Sequence, residues 1–312
     1  MNIYITSISS ILIILCIFFS FMSDVFLTWQ NIINIFTASS TIGILAIAAA
    51  LVIGSKGIDM SIGSTLALSA ICGVVIVSDF NLHWSFIIII SLLSGLICGV
   101  INGYIIGYYK ISAFIVTLGT LSIFRGLSLV LSEGRPLYDL NENILFIGQG
   151  SISGIPIAVI IFISIAIFAH ILLRYTSFGI HILAIGDNEE SARNSGIRIV
   201  RNKIILYSLS GILAAIAGLI FMTRINAADP SAGTSYELTA ITAAIIGGTA
   251  LYGGRASIVG AVVGALIMAT LQNGMTLLNI PSYYQMITIG IILILAIMFG
   301  QYKNNRGSND YS

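Results

Sequence analysis

Charge is scarce in this chain: 8% of its 312 residues are Asp, Glu, Lys or Arg, while 57% are hydrophobic. No soluble core hides that much apolar surface, whereas stretches of about 20 apolar residues each cross a bilayer. The composition therefore sets the class: a polytopic membrane protein. A formal net charge of +1, with the basic residues spread along loops, leaves nothing to attract nucleic acid. Cysteine is limited to Cys16, Cys72 and Cys98, all within apolar runs, which excludes a disulfide framework and zinc-ligand spacing. His83, His170 and His181 are far apart and lack the HExxH spacing, so no metal site is expected.

Enzyme motifs are absent as well. There is no Gly-Lys pair for a nucleotide-binding loop, and Gly148-Gln-Gly150-Ser-Ile-Ser-Gly154 misses the dinucleotide spacing and precedes an apolar run. No catalytic residue and no cofactor is predicted.

What is present is a series of apolar runs. Hydropathy read against loop charge predicts an all-α fold of about ten transmembrane helices, near 7–26, 37–54, 61–78, 85–108, 111–131, 156–173, 204–224, 236–254, 257–279 and 281–300. The run from Ile8 to Met22 lacks a basic leading region and a small-residue cleavage site, so it reads as a first span rather than a signal peptide. Placing the 174–203 loop inside, as the positive-inside rule requires, puts Lys56, Lys110, Arg255, Lys303 and Arg306 inside too. Both termini are then cytoplasmic, including a 301–312 tail, and segments 24–36, 79–84, 132–155 and 225–235 face out. The second, third and eighth spans are short or glycine-broken and can be re-entrant. The whole of 1–312 reads as one transmembrane domain, with no clear internal repeat.

Gly95, Gly99, Gly103 and Gly107 recur every four residues, a stripe on one helix face that lets another backbone approach closely. Two interruptions stand out. Gly54-Ser-Lys-Gly-Ile-Asp-Met-Ser-Ile-Gly-Ser64 sets polar groups between apolar helices, where the backbone must be satisfied by protein or water. Asp59, Ser61 and Ser64 either cap the third span or line a path or gate. Asp229-Pro-Ser-Ala-Gly-Thr-Ser-Tyr-Glu237 precedes the eighth span, which opens with Glu237, a carboxylate that is either a cap or part of an entrance. Arg125, Asn102, Thr117, Thr120, Asn273 and Gln285 lie inside spans, where polar side chains face other helices or a cavity. Asn102, Thr117 and Asn273 join Asp59, Ser61 and Ser64 as path or gate candidates. Hydroxyls and amides with few acids suit a neutral, hydrogen-bonding cargo.

The segment from Arg174 to Lys203 is a polar island holding five of the thirteen Lys and Arg residues. Asp187 or Asn188 can cap a short helix, Glu189 and Glu190 suit its positive end, and Gly196 can stop it. Such a helix is a docking element, although the same residues also suit an ordinary connecting loop.

Glu190-Ser-Ala192-Arg-Asn-Ser-Gly196 is similar to the EAA-type motif of ABC importer permeases, with Ser191 in place of an alanine. With GIDMSIGS at 57–64, AFIVTLGTLSIFRG at 113–126 and the long segment 228–280, the chain resembles the ribose-type sugar permeases over almost its whole length. The resemblance implies a permease in the bacterial inner membrane. It also implies a second permease chain, identical or different, a tandem-domain ATPase inside and a sugar-binding protein outside. On that resemblance, Asp187, Asn188, Glu190, Ala192 and Gly196 couple to the ATPase, and Asp229 lies on the rim where the binding protein docks. A branched-chain amino-acid permease of related architecture and an ion-coupled carrier are the alternatives. The carrier would require an embedded carboxylate and two similar halves.

Overall fold

The computed structural model describes residues 2–138 and 140–309, with side chains over 6–138 and 140–298. The side chains of Lys303 and Arg306 therefore lie outside the described residues, as does the end of the proposed tail. Among the described residues the fold is helical: α1 (Asn2–Met22), α2 (Trp29–Gly54), α3 (Ile62–Asp79), α4 (Phe86–Tyr108), α5 (Ala113–Leu131), α6 (Glu142–Gln149), α7 (Ile157–Tyr175), α8 (Ser177–Asp187), α9 (Glu189–Asn194), α10 (Ile199–Ile225), α11 (Tyr236–Ile246), α12 (Ile258–Leu277) and α13 (Ser282–Asn309). Two short antiparallel pairs complete it: β1 (Leu137–Tyr138) with β4 (Ala227–Ala228), and β2 (Ser151–Ile152) with β3 (Ile155–Pro156).

Among the described residues, seven helices are long and apolar enough to cross a membrane: α2, α3, α4, α5, α7, α10 and α12. The other three of the ten expected spans correspond to α1, α11 and α13, whose apolar stretches are shorter. The expected span 236–254 is helical only to Ile246, because Gly247 and Gly248 end it and a run of turns follows. Conversely, α10 begins at Ile199 and takes in residues that the sequence reading gave to the loop.

The core is built around α2 and α10, which are buried along most of their length. Where lipid would surround the bundle there is no hydrophobic drive between helices, so close backbone approach and good packing must hold them. The glycine stripe supplies this for α4, which packs along α10. A Cβ at Gly95 would strike the Gly211 carbonyl, one at Gly99 the Tyr207 carbonyl, and one at Gly103 the backbone of Ile204. On the far side, Gly260 and Gly264 bring α12 against Gly247 and Ala243.

These contacts are reciprocal, and they overturn the reading that the chain has no internal repeat. α10 packs on α3 and α4, while α2 packs on α11 and α12. Likewise α3 meets α4 and α5, while α11 meets α12 and α13. The set α2–α5 thus corresponds to α10–α13, each with a long helix followed by a polar break and a shorter helix. The two sets are inverted. α2 ends at Gly54 beside Gly186 of α8, whereas α10 starts just after α9 and runs away from that end. The sequence trace of the repeat is six residues long: Asp59-Met-Ser61-Ile-Gly63-Ser64 against Asp229-Pro-Ser231-Ala-Gly233-Thr234.

Candidate functional site

Between α2 and α3 the chain leaves the helix for residues 55–61, and its polar groups form a closed buried network. Asp59, 5% exposed, does not cap α3: the cap position is Ser61, which makes no side-chain capping bond. Instead, Asp59 Oδ1 accepts from the Ser61 amide at 3.0 Å and from the Ser61 hydroxyl at 2.7 Å, closing a turn ahead of the helix. Its Oδ2 accepts from Ser210 Oγ of α10 at 2.8 Å. Asn102 Nδ2 of α4 donates to Ser61 Oγ at 2.8 Å, and Thr120 of α5 donates to Asn102 Oδ1 at 2.8 Å. Four helices are thereby tied to one carboxylate. A buried carboxylate persists where such donors replace the water it has lost.

α5 reads both interruptions. Its buried positions Val116, Thr117, Thr120, Phe124 and Ser128 fall at helical spacing on one face. Thr117 Oγ1 accepts from the Met60 amide at 3.1 Å and has the Ala113 and Ile58 carbonyls as alternative acceptors for its proton. Further along, Arg125 Nη1 donates to the carbonyls of Pro230 and Ala232, and Ser128 Oγ reaches Pro230 O at 3.0 Å. The Arg125 charge therefore holds the second interruption.

The second interruption repeats the turn of the first: Asp229 Oδ1 accepts from the Ser231 amide at 2.8 Å. Here the carboxylate is half-buried. Glu237, in the first turn of α11, is set against Gly63.

The polar island folds as α8 and α9. Asn188, not Asp187, is the cap, its Oδ1 accepting from the Ser191 amide at 2.8 Å. The helix stops where Gly196 takes φ +84°, the left-handed conformation that glycine adopts without strain. Ala192 is buried with Ile185 and Ile199, while Glu190 is exposed at least in part and Asp187 ends α8. Glu189 ties the helix to α10: its Oε2 accepts from Lys203 at 2.7 Å and its Oε1 from Arg193 at 3.1 Å. Partial burial pushes the Glu189 carboxyl up, but the hydrogen bond and charge of Lys203, joined by Arg193, outweigh it and hold the group below the usual carboxylate range.

Of the predicted path residues, Asp59, Ser61, Asn102 and Thr117 come together. Ser64 sits beside them, but its hydroxyl turns back to the Ser61 carbonyl at 2.9 Å. Asn273 is elsewhere, exchanging two amide bonds with Asn31 at 3.0 and 2.8 Å near the start of α2. Sequence reasoning missed Ser210 as a partner of Asp59. The polar-in-span rule that found Asn102 applies to it equally, but a serine in a helix ordinarily satisfies itself on its own backbone. Among the described residues no group of three or more His, Cys, Asp and Glu side chains could hold a metal ion.

The family model described as Branched-chain amino acid transport system / permease component matches residues 31–297. The chain is 41% identical to the ribose import permease protein of Bacillus subtilis (strain 168), over 94% of this chain and 91% of that protein. It is 38% identical to the ribose import permease protein of Escherichia coli (strain K12), over 94% and 92%. It is 35% identical to the xylose transport system permease protein of Haemophilus influenzae, over 90% and 91%. No solved structure matches the chain. With seven apolar helices of spanning length and a match covering most of its residues, the chain belongs to the family of branched-chain amino acid transport system permease components, a family of multi-pass bacterial inner-membrane permeases.

Proposed function

We propose that this protein is the membrane-spanning subunit of an ATP-driven importer for a monosaccharide, ribose in the first place. Similarity to ribose import permeases over nine-tenths of both chains carries the reading. ATP hydrolysis belongs to a partner chain. The α8–α9 end is cytoplasmic in this reading, and three chain segments gather there: the turn after α2, the end of α8 and the turn at 250–255, through the mutual contacts of Gly54, Gly186 and Gly254. Lys56, Lys203 and Arg255 belong to that end, as the positive-inside rule requires of a cytoplasmic face.

α9 is the element on which a tandem-domain ATPase acts. Asp187, Asn188, Glu190, Ala192 and Gly196 form or bound it, capped at one end and stopped at the other. Coupling is a difference in free energy, so the ATPase must hold α9 differently in the inward and outward states. The movement passes from α9 through the Glu189–Lys203 pair to α10, and from α10 through Ser210 to Asp59 and the break before α3. α5, held to both breaks, carries it toward the opposite end, where Asp229 stands on the rim for an extracytoplasmic sugar-binding protein. A second permease chain, identical or different, completes the path.

A second reading is favoured by two observations. The molecule has inverted halves and a buried carboxylate, both hallmarks of an ion-coupled carrier. Against it, Asp59 already accepts three hydrogen bonds from Ser61 and Ser210, and the similar proteins are import permeases. Complementation tests the proposal. A strain unable to take up ribose should regain growth on it when supplied with this chain, its ATPase and its binding protein, and should not when the ATPase is omitted. Growth without the ATPase would favour the carrier.

A further inference from the structure

α10 opens against the rule that its own dipole sets. The first turn of a helix is its positive end, where carboxylates are favoured and cations are not. Here the first turn, beginning at Ile199, holds no acidic residue, and the cap residue Arg198 makes no side-chain capping bond. Three cations stand at that end instead: Arg198, Arg201 and Lys203. Lys203 is answered by Glu189. Arg198 and Arg201 are exposed, and among the described residues neither guanidinium has a carboxylate or hydrogen-bond partner. A local rule broken with no compensation inside the chain marks a functional position, and this one asks for an anion from outside.

The surroundings of the arginines say which kind of anion. Three residues apart on a helix, Arg198 and Arg201 share a face, and the next turn of that face is Ile204 and Ile205. All four line one groove of about 520 Å³, together with Ile199 and Val200. Apart from the arginines its walls are aliphatic. A small free anion has no use for such walls, whereas an anion with an apolar body does. The depth of the groove fits as well. α4 runs beside it, with Gly107 against Val200 and Gly103 against Ile204. That end of α4 carries Tyr104, Tyr108 and Tyr109, exposed by 45, 60 and 61%; Tyr104 stacks on Tyr108 at 5.3 Å, and Tyr109 stands edge-on to both. Exposed tyrosines at the end of a span mark the level of lipid headgroups. From that level Ile204 and Ile205 run on into the span.

We infer that this groove binds an anionic phospholipid, with the phosphate on Arg198 and Arg201 and an acyl chain along Ile204 and Ile205. Arginine suits the task, since its planar fork meets a phosphate with two parallel hydrogen bonds. That the lipid belongs to the cytoplasmic leaflet rests on the orientation proposed above; the binding itself does not. Gly196, the stop of α9, is two residues from Arg198, so a lipid held here fixes the corner at which α9 turns into α10.

The test uses the full chain, purified and supplied with equal amounts of phosphatidylglycerol and phosphatidylcholine, with the retained lipid read by native mass spectrometry. Retention of phosphatidylglycerol in preference to phosphatidylcholine is expected, and the double variant Arg198→Gln, Arg201→Gln should lower that preference by roughly tenfold. Ile205→Ser, which leaves both arginines in place, should also weaken retention. Arg174→Gln removes a cation at the end of α7, outside the groove, and should change nothing. All four positions are exposed, so each variant keeps the fold. Equal retention of the two lipids by the unaltered chain overturns the assignment, and so does an equal loss in Arg174→Gln, which would reduce the effect to general surface charge. Full displacement of phosphatidylglycerol by inorganic phosphate overturns it too, leaving only a free-anion site. So does an unchanged preference in the arginine double variant; a weakened hold on the ATPase in that variant would then give the arginines to that partner. None of these readouts depends on the sugar carried or on the energy source, so failure of this site and failure of the transport reading remain separable.

Discussion

Gly63 and Gly233 meet where the two inverted halves of the molecule touch, and a Cβ on either would strike the other's carbonyl oxygen. Each follows an Asp-x-Ser turn, so the contact joins equivalent points of the two breaks.

Gly63→Ala should therefore destabilise the purified protein by about 1–3 kcal/mol, the usual cost of overpacking a rigid contact. Gly119→Ala in α5, where a Cβ would meet open space, is the matched control and should be neutral or mildly stabilising. Thermal unfolding in detergent checks both. Equal stability of the two variants would mean that the halves do not press together at this point.

The Asp59 network predicts a coupling energy. Ser210→Ala and Ser61→Ala each remove a hydroxyl donor from the same carboxylate, so their effects on stability should be non-additive by roughly 0.5–3 kcal/mol. A double-mutant cycle read by unfolding measures it. Additive effects would show that the two serines do not share Asp59.

Gly196 is open to a side chain within this molecule, so the cost of replacing it is conformational. Gly196→Leu should lose about 1–2 kcal/mol at the stop of α9 and uncouple sugar uptake from ATP hydrolysis, whereas Gly196→Asn should keep most of the coupling. Uptake and ATPase activity measured side by side decide this. Normal uptake by the leucine variant would remove α9 from the coupling path.

Glu189 gives a pH dependence. Its carboxyl is held below the ordinary glutamate value by Lys203 and Arg193, after partial burial is overcome, so its contribution is present above that value. The contribution is lost as pH falls through the lowered one. Spin labels on α9 and α10 should report an unchanged distance at neutral pH and separation only in acid below the usual glutamate range. Glu189→Gln should show the looser distribution already at neutral pH.

What was legible in the sequence was local. The Asn188 cap and the Gly196 stop depend on neighbours a few residues away, and the glycine stripe of α4 is a spacing rule, so each could be read without the fold. The role of Asp59 could not, because its second oxygen answers to Ser210, 151 residues further on. The repeat left only a six-residue trace, since inverted halves must keep backbone breaks and close contacts but not the side chains between them. Polarity inside a span marks burial without saying at which end, so the sequence does not separate Asn273 from the path residues, and its partner is Asn31. The pairing of β1 with β4 joins two-residue strands that no periodicity announces.

The central claim is that this chain moves a sugar with energy delivered by a partner ATPase. Its most direct test is uptake of labelled ribose by proteoliposomes holding the permease and its ATPase, with the binding protein on the side opposite α9. Accumulation is predicted to require ATP on the α9 side and to continue when proton and sodium gradients are collapsed. Accumulation that needs an ion gradient and proceeds without ATP would contradict the account and give the molecule to the carrier reading.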